Sequence, residues 1–473
     1  MMLAVYLLLA LVAVWAYAKR QYVPFLLCYF TIVSQFFMLD GVTTAQRCCD
    51  VCILINIVVI PFVQLQSGRL IMKRERSDGS IVSRSCSLGY SLRGDAFAWY
   101  IVLYLLFYLL ELVLTVMHHA ETFSFAFKVI RVSFMLLGYF AFRAIPLKSY
   151  SRFFELGLYI TLVQGFLFLL QFAGIHLLAG YDEEKVALEG FVFANNIPHL
   201  TYFYIFYVLK EEKFRKVRYF IFVFLFVLVL LTFVRAVLIA LVLSLLFFFL
   251  RDGNRKVALT GTLIILILSP FLLGVFQTKS NVRNTSTMED ISQVATDIEN
   301  IDLYSFNSGT LTFRIAMLAE RIQYLVDEPQ YALMGVGAIH EDSPNCYNRF
   351  NFLLGTANEE KVGQRCQIDS GDIAWVPVVL RYGWLGSLLH LAMFFVIIIV
   401  AWPAKGHQRI LVPIFFLHFI NTFDSVFFEA GYPMFFVALM MAWHFRSRRE
   451  KVPEPVEAVA ETAINPDDST SAL

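Results

Sequence analysis

The sequence predicts an all-α, polytopic membrane protein. Of its 473 residues, 59% are hydrophobic and 16% are aromatic. Only 16% are charged, whereas about 25% of residues are charged in soluble domains. Apolar runs long enough for a helix to cross the hydrocarbon core recur along the chain, and we count about 12 or 13 of them.

Composition divides the chain into four segments. They are a transmembrane helix bundle over residues 1–276, one large polar loop over 277–371, further transmembrane helices over 372–445 and a polar tail over 446–473. The tail is rich in acids and contains proline, so it should be disordered. The first apolar stretch ends in Ala16-Tyr17-Ala18, as a signal peptide does, but no basic residue precedes it. We therefore expect it to remain as the first helix.

The positions of the basic residues predict the topology. Lysine and arginine are enriched in cytoplasmic loops of membrane proteins. Basic clusters occur at residues 19–20, 66–94, 148–152, 210–218, 251–256 and 405–409 and after residue 446. Placing these in the cytoplasm puts the large loop outside and, with 13 helices, the N-terminus outside as well. The formal net charge of +1 says little about partners, and we expect no nucleic-acid partner.

Residues 219–250 require a special interpretation because basic clusters flank this apolar run on both sides. A single crossing would place one of the clusters outside. Two short helices that meet near Val234-Arg235 keep both clusters in the cytoplasm. This arrangement predicts that Arg235 lies at the outer surface, where it interrupts an otherwise apolar run.

The cysteines predict one disulfide. Cys346 and Cys366 both lie in the loop that we place outside, and an oxidising compartment would allow them to pair. The alternative is two unrelated thiols. Cys49 and Cys52 have C-x-x-C spacing but no second pair, so they support neither a zinc site nor a thioredoxin-like function.

Three patches occur in a fixed order around the large loop. They are LTFVRAVLIALVLSLL at 231–246, LTFRIAMLAERIQYLVDEPQYALMGVGAIH at 311–340 and DSGDIAWVPVVLRYGWLGSLLHL at 369–391. Their order and predicted topology resemble the superfamily of bacterial O-antigen ligases and O-antigen polymerases. The resemblance covers roughly residues 219–400, and the first half of the chain matches only as a bundle of helices.

The resemblance implies a fold, a location and a reaction. The fold is a GT-C-like bundle with a partly helical periplasmic loop, in a multi-pass protein of the bacterial inner membrane. The reaction transfers a glycan from a polyprenyl diphosphate to a sugar hydroxyl, without a cofactor. The expected partners are the lipid-linked glycan and the lipid bilayer, with a chain-length regulator as a further candidate.

One departure from the family pattern favours a polymerase. Ligases of the family carry a His-Asn pair in the outer loop ahead of the G-x-x-G motif, with nine residues between the pair and the motif. In this chain the G-x-x-G is Gly383 to Gly386, and the corresponding pair is Asp372-Ile373. The alternatives are a ligase that transfers glycan to lipid A-core, a protein O-oligosaccharyltransferase and a transporter of lipid-linked oligosaccharides. Transporters usually show inverted repeats and midplane binding residues, whereas the charges here concentrate in one loop.

Arginines are the candidate diphosphate ligands, because they stay charged and bind phosphate oxygens in bidentate fashion. Arg235, Arg314 and Arg381 are the candidates. Each has an ordinary alternative role: an interfacial arginine that extends to water for Arg235, a solvated loop residue for Arg314 and a helix anchor for Arg381. Arg321 lies beside Glu320, which suggests an ordinary charged surface.

The reaction also needs a base for the acceptor hydroxyl. Asp372 is the preferred candidate by its position, and Asp369 and His340 are weaker ones. The alternative role of Asp372 is an N-cap, since aspartate before an apolar helix is a normal helix start. Gly335 and Gly337 are expected to form a tight turn, and Gly383 and Gly386 to mark the break where an amphipathic helix enters the membrane. No cluster of metal ligands is evident in the sequence.

Overall fold

The computed structural model describes a largely helical protein. It covers residues 2–38, 45–66, 70–75, 81–86, 92, 94–119, 121–175, 177, 197–232, 234–252, 311–346, 350, 368, 373–423, 427–428 and 430–450. Within these residues the only sheet is one two-stranded hairpin, and the other regular elements are helices.

The helices and strands follow one another along the chain in this order: α1 (Met2–Ala18), α2 (Tyr22–Val33), α3 (Gln35–Met38), α4 (Ala45–Gln66), β1 (Leu70–Glu75), β2 (Ile81–Cys86), α5 (Ala96–His118), α6 (Phe123–Ile130), α7 (Gly138–Phe142), α8 (Leu147–Leu170), α9 (Thr201–Lys210), α10 (Arg218–Leu230), α11 (Arg235–Asp252), α12 (Leu311–Asp327), α13 (Pro329–Ala332), α14 (Trp375–Ala401), α15 (Leu411–Asn421) and α16 (Gly431–Glu450). Short 3₁₀ helices cover Arg131–Leu137, Gln171–Ala173, Glu212–Phe214 and Gly406–Ile410.

Four helical segments of the described chain are long and apolar enough to cross a membrane. They are Ala96–His118, Phe123–Phe142, Leu147–Ala173 and Trp375–Ala401. Four shorter apolar helices accompany them: Met2–Ala18, Tyr22–Val33, Arg218–Leu230 and Ala236–Arg251. These segments indicate a membrane protein. The predicted count of 12 or 13 crossings also depends on residues 253–310, which lie outside the described residues.

Helix α5 shows how a membrane helix divides its faces. Leu103, Leu106 and Leu110 are exposed on one face, as suits contact with lipid. Tyr104 and Tyr108 are buried on the other face, where α5 packs against α14. The same helix begins at an N-cap, because the side chain of Asp95 accepts a hydrogen bond from the amide of Ala98 at 3.0 Å.

A buried ion pair holds the start of α5 to the end of α7. The Nη1 of Arg143 donates to the carboxylate of Asp95 at 2.9 Å, and both side chains are almost completely buried. The hydroxyl of Tyr139 donates to the same carboxylate at 2.6 Å. The guanidinium of Arg143 also lies over the rings of Tyr139, Phe140 and Phe445. The aspartate therefore has both a cation and a hydroxyl to compensate its burial.

One β-hairpin was not predicted from the sequence. β1 and β2 form an antiparallel hairpin in which Leu70 pairs with Cys86 and Glu75 with Ile81, inside the basic segment 66–94. The sequence between the strands contains Asp78-Gly79, a dipeptide that favours hairpin turns. The strands thus add a small β element to the all-α prediction.

Candidate functional site

The break between α10 and α11 agrees with the prediction of two short helices. α10 ends at Leu230 and α11 begins at Arg235. Thr232 stabilises the turn, because its hydroxyl donates to the carbonyl of Val229 at 2.8 Å and accepts from the amide of Val234 at 3.3 Å. Arg235 therefore occupies the first position of a helix, where unpaired amides give a partial positive charge. Its role in binding phosphate remains a prediction.

The expected break in the last loop helix is also present. Gly383 interrupts α14 with φ +57° and ψ −156°, a conformation that only glycine adopts readily. The amide of Leu385, which a continuous helix would direct to the carbonyl of Arg381, donates instead to the carbonyl of Leu333 at 3.0 Å. The break thus releases a helix carbonyl for other partners.

The Gly335-Val336-Gly337 turn takes up the released carbonyls. The amide of Val336 donates to the carbonyl of Leu380 at 2.9 Å, and the amide of Gly337 donates to the carbonyl of Arg381 at 3.0 Å. Gly335 and Gly337 have φ values of +75° and +88°. A Cβ on Gly335 would lie 2.4 Å from the carbonyl oxygen of Arg381. The predicted tight turn is therefore confirmed, and it joins the second and third sequence patches backbone to backbone.

Arg381 strengthens the same junction. Its side chain is buried, and its Nε donates to the carbonyl of Ile339 at 3.0 Å. This contact fits the anchoring role considered above, although the partner is the loop and not the membrane interface. Its assignment to a phosphate remains a prediction.

Helix α12 carries two arginines of different character. Arg314 is half-buried. Arg321 is 1% exposed, pairs with Glu320 at 2.7 Å and lies 4.2 Å from the ring centre of Phe350. Burial lowers the pKa of Arg321 to about 10, although Glu320 and Glu341 oppose this shift. The prediction that Arg321 belongs to an ordinary charged surface is therefore wrong, because distant residues cover it.

His340 follows the glycine turn and is largely covered. Its Nδ1 accepts a hydrogen bond from the amide of Asp342 at 3.1 Å. The imidazole ring stacks on Phe125 with 5.6 Å between the ring centres. The contact ties the loop to the start of α6, and the hydrogen bond fixes the orientation of the ring.

Glu341 connects the loop to the segment that carries the predicted base. One carboxylate oxygen accepts a hydrogen bond from the amide of Ile368, which directly precedes Asp369. The other oxygen lies 3.2 Å from the sulfur of Cys346, where it can accept from the thiol. Cys366, Asp369 and Asp372 lie outside the described residues, so the disulfide and both aspartate assignments remain predictions.

The start of α14 bears on the alternative role of Asp372. The helix begins at Trp375 with Ala374 at the N-cap position. The amide of Ala374 donates to the carbonyl of Thr422, and the indole of Trp375 donates to the hydroxyl of the same threonine at 2.8 Å. Asp372 therefore precedes the N-cap by two residues, and the described helix start depends on Thr422 instead.

Sequence reasoning missed the contribution of α5 and the residues after it. The hydroxyl of Thr115 accepts a hydrogen bond from the amide of Ala338 at 2.8 Å. The side-chain Nδ2 of Asn345 donates to the carbonyl of His119 at 3.5 Å, and the hydroxyl of Ser343 donates to the carboxylate of Glu121. These contacts hold the loop on the end of α5.

Two ionisable residues on this side of the molecule, Glu111 and His119, received no role from the sequence. Glu111 is 1% exposed, and its Oε1 has no hydrogen-bond partner. Burial and the neighbouring His118 lower the pKa of His119. An acidic residue inside an apolar membrane helix indicates a functional role. Glu111 lies in the apolar run YLLELVLTV, so the sequence alone could have indicated it.

In the part of the chain that the structure describes, no group of three or more His, Cys, Asp or Glu side chains is arranged to hold a metal ion. No protein-family model matches the chain, and no curated protein matches it closely enough to count as a relative.

Proposed function

We propose that the protein is a bacterial inner-membrane glycosyltransferase that polymerises oligosaccharide repeat units linked to polyprenyl diphosphate. The product would be a surface polysaccharide. The large loop would lie in the periplasm, where lipid-linked repeats are joined without a nucleotide-sugar donor.

The observation that carries the proposal is the junction of the Gly335–Gly337 turn with the break at Gly383. Two of the three sequence patches meet there through backbone hydrogen bonds of 2.9 and 3.0 Å. Each of these two patches contributes one candidate arginine: Arg314 lies in the first turn of α12, and Arg381 on α14 contacts the junction through its bond to the carbonyl of Ile339. A junction of backbone hydrogen bonds is a suitable support for groups that must hold a reactive diphosphate in one place.

The proposed site must stabilise the negative charge that develops on the leaving group. The leaving group is a diphosphate, which gains negative charge as the glycosidic bond breaks. Fixed cations directed at that charge are usually the largest catalytic contribution. Arg235 and Arg314 would supply this stabilisation. Asp372 would accept the proton of the attacking sugar hydroxyl, and the departing polyprenyl diphosphate would take the electron pair of the broken bond.

A deletion strain tests the proposal and separates it from the ligase alternative. We expect the deletion to abolish the ladder of polymer bands on a gel of surface glycan, while glycan with a single repeat remains attached. Loss of the single-repeat band as well would indicate a ligase. An unchanged ladder would overturn both assignments. Asp372→Asn should reproduce the deletion, because the amide cannot accept a proton.

A further inference from the structure

Glu111 is a buried residue, and one of its carboxyl oxygens is unsatisfied among the residues that the structure describes. It is 1% exposed, and its Oε1 has no hydrogen-bond partner. No described residue pairs with it as an ion. Two other buried carboxylates nearby on the chain differ, since Asp95 is paired with Arg143 at 2.9 Å and Glu121 accepts a hydrogen bond from Ser343. A buried polar group without a partner is costly, so its presence inside an apolar helix calls for a ligand that satisfies it.

The position of Glu111 on α5 directs it into the protein. Tyr104, Tyr108, Glu111, Thr115 and His119 are spaced by four, three, four and four residues, which places them on one face of the helix. Both tyrosines and Thr115 are buried on this face. Leucines occupy the opposite, exposed face. Glu111 therefore belongs to a polar stripe that faces the bundle and not the lipid.

The polar side chains that precede Glu111 on this face of α5 have hydrogen-bond partners. The hydroxyls of Tyr104 and Tyr108 lie 3.1 and 2.8 Å from the Nε2 of His390 on α14. The rings of Tyr108 and Tyr382 are 5.1 Å apart. The ring of Tyr108, one turn from Glu111 on the same face, supplies aromatic surface beside the carboxyl, a combination that suits the apolar and hydroxylated faces of a sugar.

The residues that follow Glu111 on this face of α5 are in contact with the large loop. Thr115, one turn along the helix, accepts the amide of Ala338 at 2.8 Å. A Cβ on Gly337 would lie 2.7 Å from the hydroxyl of Thr115 and 2.9 Å from the ring of His119. The loop thus contacts α5 one helical turn beyond Glu111. We infer that a ligand reaches Glu111 when this part of the loop moves away from Thr115.

We propose that Glu111 binds a hydroxyl group of the saccharide part of the substrate beneath the 335–345 loop. This inference rests on the proposed function. A carboxyl group exchanges hydrogen bonds with sugar hydroxyls, whereas arginine is the ordinary partner of a diphosphate. We therefore assign the two parts of the substrate to different residues. The arginines bind the phosphates, and Glu111 with the rings of Tyr108 and Tyr382 binds the sugar. Opening of the bond between Thr115 and Ala338 admits the saccharide.

Thermal unfolding of the purified protein tests whether the carboxyl lacks a partner. We expect Glu111→Leu to raise the midpoint by roughly 1 to 3 °C, because an apolar side chain replaces an unsatisfied polar group. Glu121→Leu is the matched control and should lower the midpoint, since it removes the acceptor for Ser343. A lower midpoint for Glu111→Leu would overturn the proposal, because the carboxyl would then be a structural group.

The surface-glycan gel tests the role in binding, with all variants expressed at equal membrane levels in the deletion strain. We expect Glu111→Leu to reduce polymer by roughly 3- to 10-fold, the effect of losing an uncharged hydrogen bond. Glu111→Gln keeps an acceptor oxygen and should give an intermediate ladder. If glutamine is as inactive as leucine, an acceptor oxygen is not sufficient at this position and the hydroxyl-binding proposal is wrong.

The outcomes distinguish this inference from the proposed function. A normal ladder in the deletion strain itself would overturn the polymerase, and the saccharide site with it. A ladder that depends on the protein but is unchanged in Glu111→Leu would overturn the saccharide site alone and leave the polymerase standing.

Discussion

Gly335 and Gly383 meet backbone to backbone. A Cβ on Gly383 would lie 2.6 Å from the amide nitrogen of Gly335, closer than such atoms can approach. The two glycines are 48 positions apart in sequence, and each has a positive φ. Their contact joins the loop to α14 and requires that neither position carries a side chain.

Replacement of Gly383 by alanine should therefore destabilise the protein strongly. The new methyl group would collide with Gly335 and with the carbonyl oxygen of Ala332, 2.7 Å away. The φ and ψ of Gly383 are also unsuited to alanine. Together these effects should cost about 3 kcal/mol or more, measured as a lower midpoint of thermal unfolding.

Gly406 provides the control for this substitution. It has φ +62° and no heavy atom within 4 Å of a Cβ placed on it. Gly406→Ala should therefore cost only the backbone strain, about 1 to 2 kcal/mol. Equal losses in the two variants would show that the contact with Gly335 contributes nothing.

The buried pair of Asp95 and Arg143 makes a second prediction. Asp95→Ala would leave the guanidinium of Arg143, which is 0% exposed, without its carboxylate. It would also remove the acceptor for the hydroxyl of Tyr139 and the N-cap of α5. Removing one member of a buried pair costs about 3 to 5 kcal/mol, so the midpoint of thermal unfolding should fall sharply.

An exposed pair offers the comparison. Lys213 contacts Glu155, and their side chains are 57% and 33% exposed. Glu155→Ala should change the stability by less than about 1 kcal/mol. If both alanine variants unfold at the same temperature, burial is not what makes the Asp95 pair important.

The backbone breaks could be predicted from sequence because each has a local cause. Basic clusters on both sides of one apolar run required the turn before Arg235, and the G-x-x-G spacing marked Gly383. The burial of Arg321 could not be predicted, since its cover includes Phe350, a residue 29 positions away. The isolation of Glu111 is likewise a tertiary property, because sequence shows the acid but not the absence of a partner.

His119 predicts a dependence of stability on pH. Burial and His118 lower the pKa of this side chain, so the folded protein takes up its proton at a lower pH than the unfolded chain. Stability should therefore fall as the pH drops below about 6.5, the ordinary value for histidine. His119→Gln should reduce this slope, as measured by thermal unfolding between pH 5 and 8. Equal slopes in the two proteins would contradict the prediction.

The arginines give the sharpest prediction about activity. In Arg235→Lys and Arg314→Lys the charge remains, but the bidentate contact with phosphate is lost. We expect each variant to lower the amount of polymer by about 10- to 100-fold at equal protein levels. The readout is the ladder of surface glycan in the deletion strain.

Arg251, at the other end of α11, is the matched control for both variants. Its guanidinium lies 4.9 Å from the ring centre of Trp402 and donates to the carbonyl of Arg409 at 3.2 Å. These contacts hold two helix ends together and involve no substrate, so Arg251→Lys should leave the ladder intact. A loss of polymer in Arg251→Lys equal to that in Arg235→Lys would mean that α11 tolerates no change of arginine at either end. The activity of the Arg235 variant would then say nothing about phosphate binding, and Arg314 alone would carry the assignment.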